Sequence, residues 1–244
     1  MKTVFYFLVK TALILSVALS IGCSKDDPSN PNSSVADPEG TISLSVNNES
    51  NGDTWVPFND YDSFSIDNAN NFDGIGWLFA SVGAVKGLGN VTKIPDSGWA
   101  TKSAVTPGNG YVAAYPNGNY ITFARIYVED WITDAGSNGI IGAKIKYQYP
   151  FNGTATAIGL SQKSVTLKLT FVNGEYEYAS TPITLNKVSC TITNINGYTG
   201  SLSFDGTTVK LTIYNYYLPN SGPATLTVSS PGLPDEQIAV TVTP

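Results

Sequence analysis

Residues 141–147 read Ile-Gly-Ala-Lys-Ile-Lys-Tyr. Ile141, Ala143, Ile145 and Tyr147 alternate with Gly142, Lys144 and Lys146. A period of two puts the apolar set on one face of a strand and the lysines on the other. The same pattern recurs outward in both directions. Ile42, Leu44 and Val46 alternate with Thr41, Ser43 and Ser45. Val165, Leu167, Leu169 and Phe171 alternate with Thr166, Lys168 and Thr170. Val209, Leu211 and Ile213 repeat it, as do Ile238, Val240 and Val242. One dry and one wet face is the mark of antiparallel sheet. No segment sustains a 3.6-residue apolar stripe over ten or more residues, so the sequence predicts an all-β fold of antiparallel sheets.

Turn dipeptides punctuate these runs: Asn51-Gly52, Asn109-Gly110, Asn117-Gly118, Asn138-Gly139, Asn152-Gly153, Asn173-Gly174, Asn196-Gly197 and Asp205-Gly206. Asn, Asp and Gly tolerate the positive φ that tight hairpins require. A composition step falls near Phe151. All four tryptophans lie between Trp55 and Trp131, and the later text is rich in Thr, Val and Leu. The chain divides into an aromatic-rich β-domain over 40–151 and a domain over 152–244 with the length and strand spacing of an immunoglobulin-like sandwich. The rival reading is one continuous sandwich whose sheets cross the step.

Charge is sparse, 13% of residues against roughly 25% in ordinary soluble proteins. Arg125 is the one arginine of the sequence, and no basic cluster exists to neutralise a phosphate backbone, which argues against nucleic acid. Histidine is absent, which removes His-based triads, His general bases and His-containing metal sites. Cysteine occurs at Cys23 and Cys190. Cys190 keeps register with Val188 and Ile192 and reads as a buried, inert small hydrophobe.

Residues 1–22 form a signal sequence: Lys2 supplies the basic start and Thr11 to Ile21 the apolar run. Leu19-Ser20-Ile21-Gly22-Cys23 resembles a bacterial lipobox, with Ser20 where that pattern favours Leu. The resemblance implies cleavage before Cys23 and a covalent lipid on its thiol. Two acyl chains suffice for stable anchoring, at about 0.8 kcal/mol per buried CH₂. Loss of Lys2 and Lys10 with the leader leaves 11 Lys+Arg against 19 Asp+Glu, a charge of −8. Ser24-Lys25-Asp26-Asp27 resembles the Lys-acidic-acidic export tag of Bacteroidetes surface lipoproteins, which directs them to the outer face of the outer membrane. Residues 23–39 then read as a lipidated, disordered tether, polar and Pro-rich.

Gly76-Trp77, Ser81-Val82-Gly83, Lys86-Gly87-Leu88-Gly89-Asn90-Val91-Thr92-Lys93-Ile94-Pro95, Gly110-Tyr111-Val112, Ala124-Arg125-Ile126-Tyr127-Val128 and the stretch from Gly139 to Phe151 carry a further likeness. Together they resemble an uncharacterised family of Bacteroidetes lipoproteins with a domain of unknown function, over most of 40–151. The resemblance implies a surface-exposed lipoprotein. It supplies no activity and no catalytic residue.

Three sets of residues are candidates for chemistry. Asp60, Asp62, Asp67 and Asp73 crowd one oxygen-rich stretch of the kind that holds Ca²⁺. The EF-hand order fails there, and Asx-turns explain the same residues. Glu129, Asp130 and Asp134 end a strand beside Trp131. Paired carboxylates hydrolyse glycosides without histidine, but adjacent acids in a strand point to opposite faces, so Glu129 and Asp130 are not the pair, and a strand-end turn leading to Ser137-Asn138-Gly139 is the better account. The aromatics Trp55, Trp99, Tyr111, Tyr115 and Trp131 offer flat faces on which sugar C–H groups stack, at low entropy cost. Trp77, inside Ile75-Gly76-Trp77-Leu78-Phe79, reads as core.

The sequence therefore points to a non-catalytic surface lipoprotein, without a cofactor beyond its lipid, that binds a glycan or surface component through its first half. The alternatives are a structural or adhesive docking lipoprotein and a carboxylate-dependent glycoside hydrolase. The anchor has its own test. Replacing Cys23 with Ala is expected to move the protein from the membrane fraction to the soluble one on cell fractionation. A variant that stays with the membrane removes the lipid assignment.

Overall fold

The computed structural model describes residues 35–50, 55–57, 63–168, 171–172, 175–176, 179–193, 199–214 and 222–243. In chain order the strands are β1 (Ile42–Asn47), β2 (Val56–Pro57), β3 (Ser63–Ile66), β4 (Asn71–Asp73), β5 (Leu78–Ala84), β6 (Ser103–Ala104), β7 (Asn109–Asn117), β8 (Tyr120–Thr133) and β9 (Ile140–Gln148). They continue as β10 (Ser164–Lys168), β11 (Phe171–Val172), β12 (Glu175–Tyr176), β13 (Ala179–Ile183), β14 (Cys190–Thr193), β15 (Thr199–Phe204), β16 (Val209–Tyr214), β17 (Gly222–Ser230) and β18 (Leu233–Thr243). A 3₁₀ turn spans Leu88–Asn90, and no α-helix occurs among the described residues. No helix there is long and apolar enough to cross a membrane. The all-β expectation is met. Among the described strands pairing is antiparallel except between β10 and β18, which run parallel.

One large sheet follows the order β1-β9-β8-β14-β17-β18-β10, with β7 on the other side of β8 and β5 beyond it. The middle of its central hairpin, β7–β8, is buried on both faces. Tyr111 and Ala113 pair with Ile126 and Ala124 and face one core. Val112, Ala114, Ile121 and Phe123 face the other. Strands dry on both sides carry near-continuous apolar runs in place of alternation, as Tyr111-Val112-Ala113-Ala114 does.

A four-stranded sheet, β2-β3-β4-β6, covers the first face and delivers Val56, Phe64, Ile66 and Phe72 to its core. Rings fill this layer. Phe64 meets Phe72, Trp77 and Phe79 edge-on at 5.5, 5.4 and 5.3 Å between centroids, and Tyr111 meets Phe72 at 5.1 Å. Each such pair adds about 0.5–1.5 kcal/mol beyond its buried area. A three-stranded sheet, β13-β16-β15, contributes Ile183, Leu202, Phe204, Val209, Leu211 and Ile213 to the second core.

The composition step at Phe151 is bridged by this packing. The β7–β8 turn holds Gly118 at φ 57°. Its tip enters the later half: the Ile192 N–H donates to the Asn119 carbonyl at 2.7 Å and the Leu202 N–H to the Gly118 carbonyl at 2.6 Å. One edge of β8 changes partner, from β14 at Tyr120 and Ile121 to β9 from Arg125 onward. Between those stretches the buried Ser189 hydroxyl stands in for a strand. It accepts from the Phe123 N–H at 2.8 Å and lies 3.2 Å from the Phe123 carbonyl. Asn152 extends the junction: its Oδ1 accepts from the Ser189 N–H, and its Nδ2 donates to the Pro231 carbonyl.

The turn dipeptides divide by context. Asn117-Gly118, Asn138-Gly139 and Asp205-Gly206 lie at the turns joining β7–β8, β8–β9 and β15–β16. Asp205 builds its turn by accepting from the N–H groups of Thr207 and Thr208 at 2.9 and 2.8 Å. Asn109-Gly110 opens β7 instead, because the chain reverses one step earlier, at Gly108. Asn152-Gly153 sits at the junction rather than in a hairpin. Asn51-Gly52, Asn173-Gly174 and Asn196-Gly197 lie outside the described residues, as do the leader, Cys23 and the tether up to residue 34.

Cys190 is buried on β14, and burial pushes its thiol up to about 12. Phe123 is the more telling residue, because its ring meets Phe204 across the step at 5.4 Å and Trp99 on its own side at 6.1 Å. Phe123→Ala is expected to lower the unfolding free energy by about 3–5 kcal/mol. Calorimetry of that variant is expected to show both halves melting in one transition at a reduced temperature. Two separated transitions would mean that the shared core does not couple them.

Candidate functional site

A cleft of about 610 Å³ is lined by Glu49, Trp55, Ser63, Ser65, Asp73, Gly74, Ile75, Trp77 and Tyr115. Local sequence explains its walls. In Ser63-Phe64-Ser65-Ile66, period two sends Phe64 and Ile66 into the core and leaves both serines on the cleft side. Asp73 stands opposite Ser65 in the β3–β4 register, so it joins their row. Gly74-Ile75-Gly76-Trp77 then turns back, the Trp77 N–H donating to the Gly74 carbonyl at 3.2 Å. Gly76 takes φ 79°, a conformation that a side chain strains. A Cβ on Gly74 would stand 2.6 Å from the Trp77 ring. The turn thus buries Trp77 and leaves Ile75 at the rim, 96% exposed. Tyr115 stacks on Trp77 at 4.8 Å and 23°. Trp55 completes the wall, 44% exposed.

Of the aromatics proposed from sequence, Trp55 and Tyr115 meet in this cleft. Tyr111 is corrected: it is 0% exposed, and its hydroxyl donates to the Ala104 carbonyl at 2.8 Å, so it is a core residue. Trp99 is corrected likewise. Its ring meets Phe204 edge-on at 5.3 Å, and its Nε1 donates to the Pro95 carbonyl at 3.1 Å, so it wedges the two halves together. Trp131 lies away from the cleft, half-buried against the first core. A bulge between Val128 and Asp130 shifts the parity of β8 and returns Trp131 to the face of Val128.

The acidic residues hold structure. Glu129 and Asp37 share the Lys146 ammonium at 3.0 and 2.8 Å. Asp130 accepts from the Trp131 N–H, and Asp134 from the backbone and hydroxyl of Ser137, which shapes the β8–β9 turn. Asp60 and Asp62 lie outside the described residues. Asp67 accepts from the N–H groups of Ala69 and Asn71, at 2.9 and 2.8 Å. Lys102 reaches Asp67 at 2.9 Å and Asp73 at 2.6 Å, and these two bonds, Asp73 first, raise its pKa. An ammonium therefore occupies the position between these carboxylates that a cation would take. Among the described residues no group of three or more His, Cys, Asp or Glu is arranged to hold a metal.

Sequence reasoning passed over Glu49, Ser63, Ser65 and Ile75. Two signals were present: the alternation of 63–66, and an isoleucine between two glycines.

Burial alone would push the Asp67 carboxyl up, but the Asn71 N–H, Lys102, the Asn71 amide and the Ala69 N–H together hold it below its ordinary 3.8. Its stabilisation is complete well above 3.8 and is lost as pH falls through the depressed native value. The urea midpoint is expected to drop between about pH 5 and about pH 2. Asp67→Asn is expected to be less stable at neutral pH and to lose less across that window. An unchanged pH slope in the variant refutes the assignment.

Residues 43–214 match the model of the family described as a domain of unknown function, DUF5036, so the match also spans the step at Phe151. Neither a curated protein nor a solved structure matches the chain.

Proposed function

We propose that this chain, which belongs to the DUF5036 family, is a lipid-anchored cell-surface protein that binds a glycan without transforming it. The observation that carries this reading is the cleft wall of Trp55 and Tyr115, above a floor of serine hydroxyls and carboxylates. Apolar ring faces suit sugar C–H surfaces, and the polar row suits their hydroxyls. The support beneath is rigid, because Tyr115 rests on Trp77 and Trp77 on Phe64. The lipobox-like Leu19 to Cys23 and the polar stretch after it support attachment to the outer membrane through a tether. Four strands of the large sheet facing the three-stranded sheet support an immunoglobulin-like reading of the later half, as a spacer.

A second reading has one observation in its favour. Glu49 and Asp73 line the same cleft, and two carboxylates are what glycoside hydrolysis uses. The bond from Lys102 to Asp73 weighs against it, since it ties one of the two carboxylates to an ammonium.

A glycan array probed with the full chain tests the proposal. Binding to one or a few structures is expected. Trp55→Ala is expected to weaken it by roughly tenfold, equivalent to about 1.4 kcal/mol, with an unchanged melting temperature. Release of reducing ends from a bound glycan would favour the hydrolytic reading. An array without a hit rejects the binding function.

A further inference from the structure

We infer that Glu49 makes the cleft selective for glycans bearing a protonated amino group, the chemical type being a hexosamine chain. The inference rests on the reading of the cleft as a glycan site. Glu49 lines the cleft, is exposed, and accepts a long 3.4 Å hydrogen bond from the Ser65 hydroxyl. It has no ion-pair partner among the described residues, whereas the other cleft carboxylate, Asp73, is engaged by Lys102.

That lysine serves Asp67 as well as Asp73. Of the two carboxylates that line the cleft, Glu49 is thus the one without an ammonium among the described residues, and Asp73 shares its own with Asp67, which stands outside the lining. The negative charge of Glu49 sits in a concavity with aromatic walls, where low-dielectric surroundings focus the field. Trp55 adds to the preference, because the face of an indole attracts a cation. An ammonium in the cleft that Trp55 and Glu49 both line therefore gains from either. A carboxylated or sulfated sugar meets repulsion from Glu49. The formal charge of −6 on the whole chain acts in the same sense at long range.

Calorimetric titration of the full chain in detergent separates the possibilities. The probes are β-1,4-linked hexasaccharides of glucosamine, N-acetylglucosamine and glucuronic acid, which share linkage and differ in charge. The glucosamine oligomer is expected to bind about tenfold tighter than the acetylated one, and the uronic acid oligomer more weakly than either. Added salt is expected to shrink the gap. Glu49→Gln is expected to bring glucosamine and N-acetylglucosamine oligomers to equal affinity, with an unchanged melting temperature. Equal affinities in the unmodified protein, or a preference that survives Glu49→Gln, overturn the selectivity and leave the cleft as a glycan site. Failure of all three oligomers to bind, with no change in tryptophan emission, overturns the glycan site and the selectivity with it.

Discussion

The middle of the β7–β8 hairpin, around Tyr111–Ala114, Phe123 and Ala124, has no wet face, and the rest of the structure is arranged around that constraint. Burying a strand on both sides requires two separate covers. The chain supplies one from residues before the hairpin and one from residues after it. The aromatic layer of Phe64, Phe72, Trp77 and Phe79 closes the first side. Leu202, Phe204, Leu211 and Ile213 close the second. Each fully buried side chain of this size contributes about 1.5–3 kcal/mol, so neither cover is dispensable. The backbone follows the same logic. The tip at Gly118 and Asn119 satisfies amides of the later half, and Ser189 completes the edge of β8 where no strand reaches.

This arrangement explains what the sequence disclosed. Strands with one solvated face announced themselves by alternation: β9 with Ala143, Ile145 and Tyr147 inward, and β18 with Ile238, Val240 and Val242 inward. The central hairpin gave no such pattern, because alternation needs a wet face. Its role was hidden in the run from Tyr111 to Ala114. The same cause misdirected the reading of the aromatics. A tryptophan after a turn looks loop-borne, yet Trp99 packs against both Phe123 and Phe204, which are distant in sequence. Tyr111 carries a hydroxyl that suggests a surface, and that hydroxyl is satisfied internally by Ala104. Trp55 and Tyr115 were visible as candidates, but the serine row and Glu49 that accompany them come together only through the β1, β3 and β4 contacts.

The cleft is a by-product of how the aromatic layer ends. Trp77 must turn inward to complete the ring stack, and the flanking Gly74 and Gly76 permit the reversal. The reversal pushes Ile75 outward and exposes the edge of the stack through Tyr115. Site and core are thus contiguous through the Trp77 ring. The acidic residues nearby separate into two kinds. Asp67 is bound up in local hydrogen bonds and an ion pair, whereas Glu49 meets solvent at the mouth.

The segment entering the fold is fastened before it becomes a strand. Val35 donates to the Asn90 side chain, Asp37 pairs with Lys146, and the Glu39 carbonyl accepts from Gln148. Only then does β1 zip along β9 over six residue pairs. Gly89 lies so near the Ala36 carbonyl that a Cβ there would stand 2.4 Å from it. Any tug on the chain upstream of Val35 therefore meets a series of catches laid against β9 and the turn at Leu88, and reaches the strand ladder after they yield.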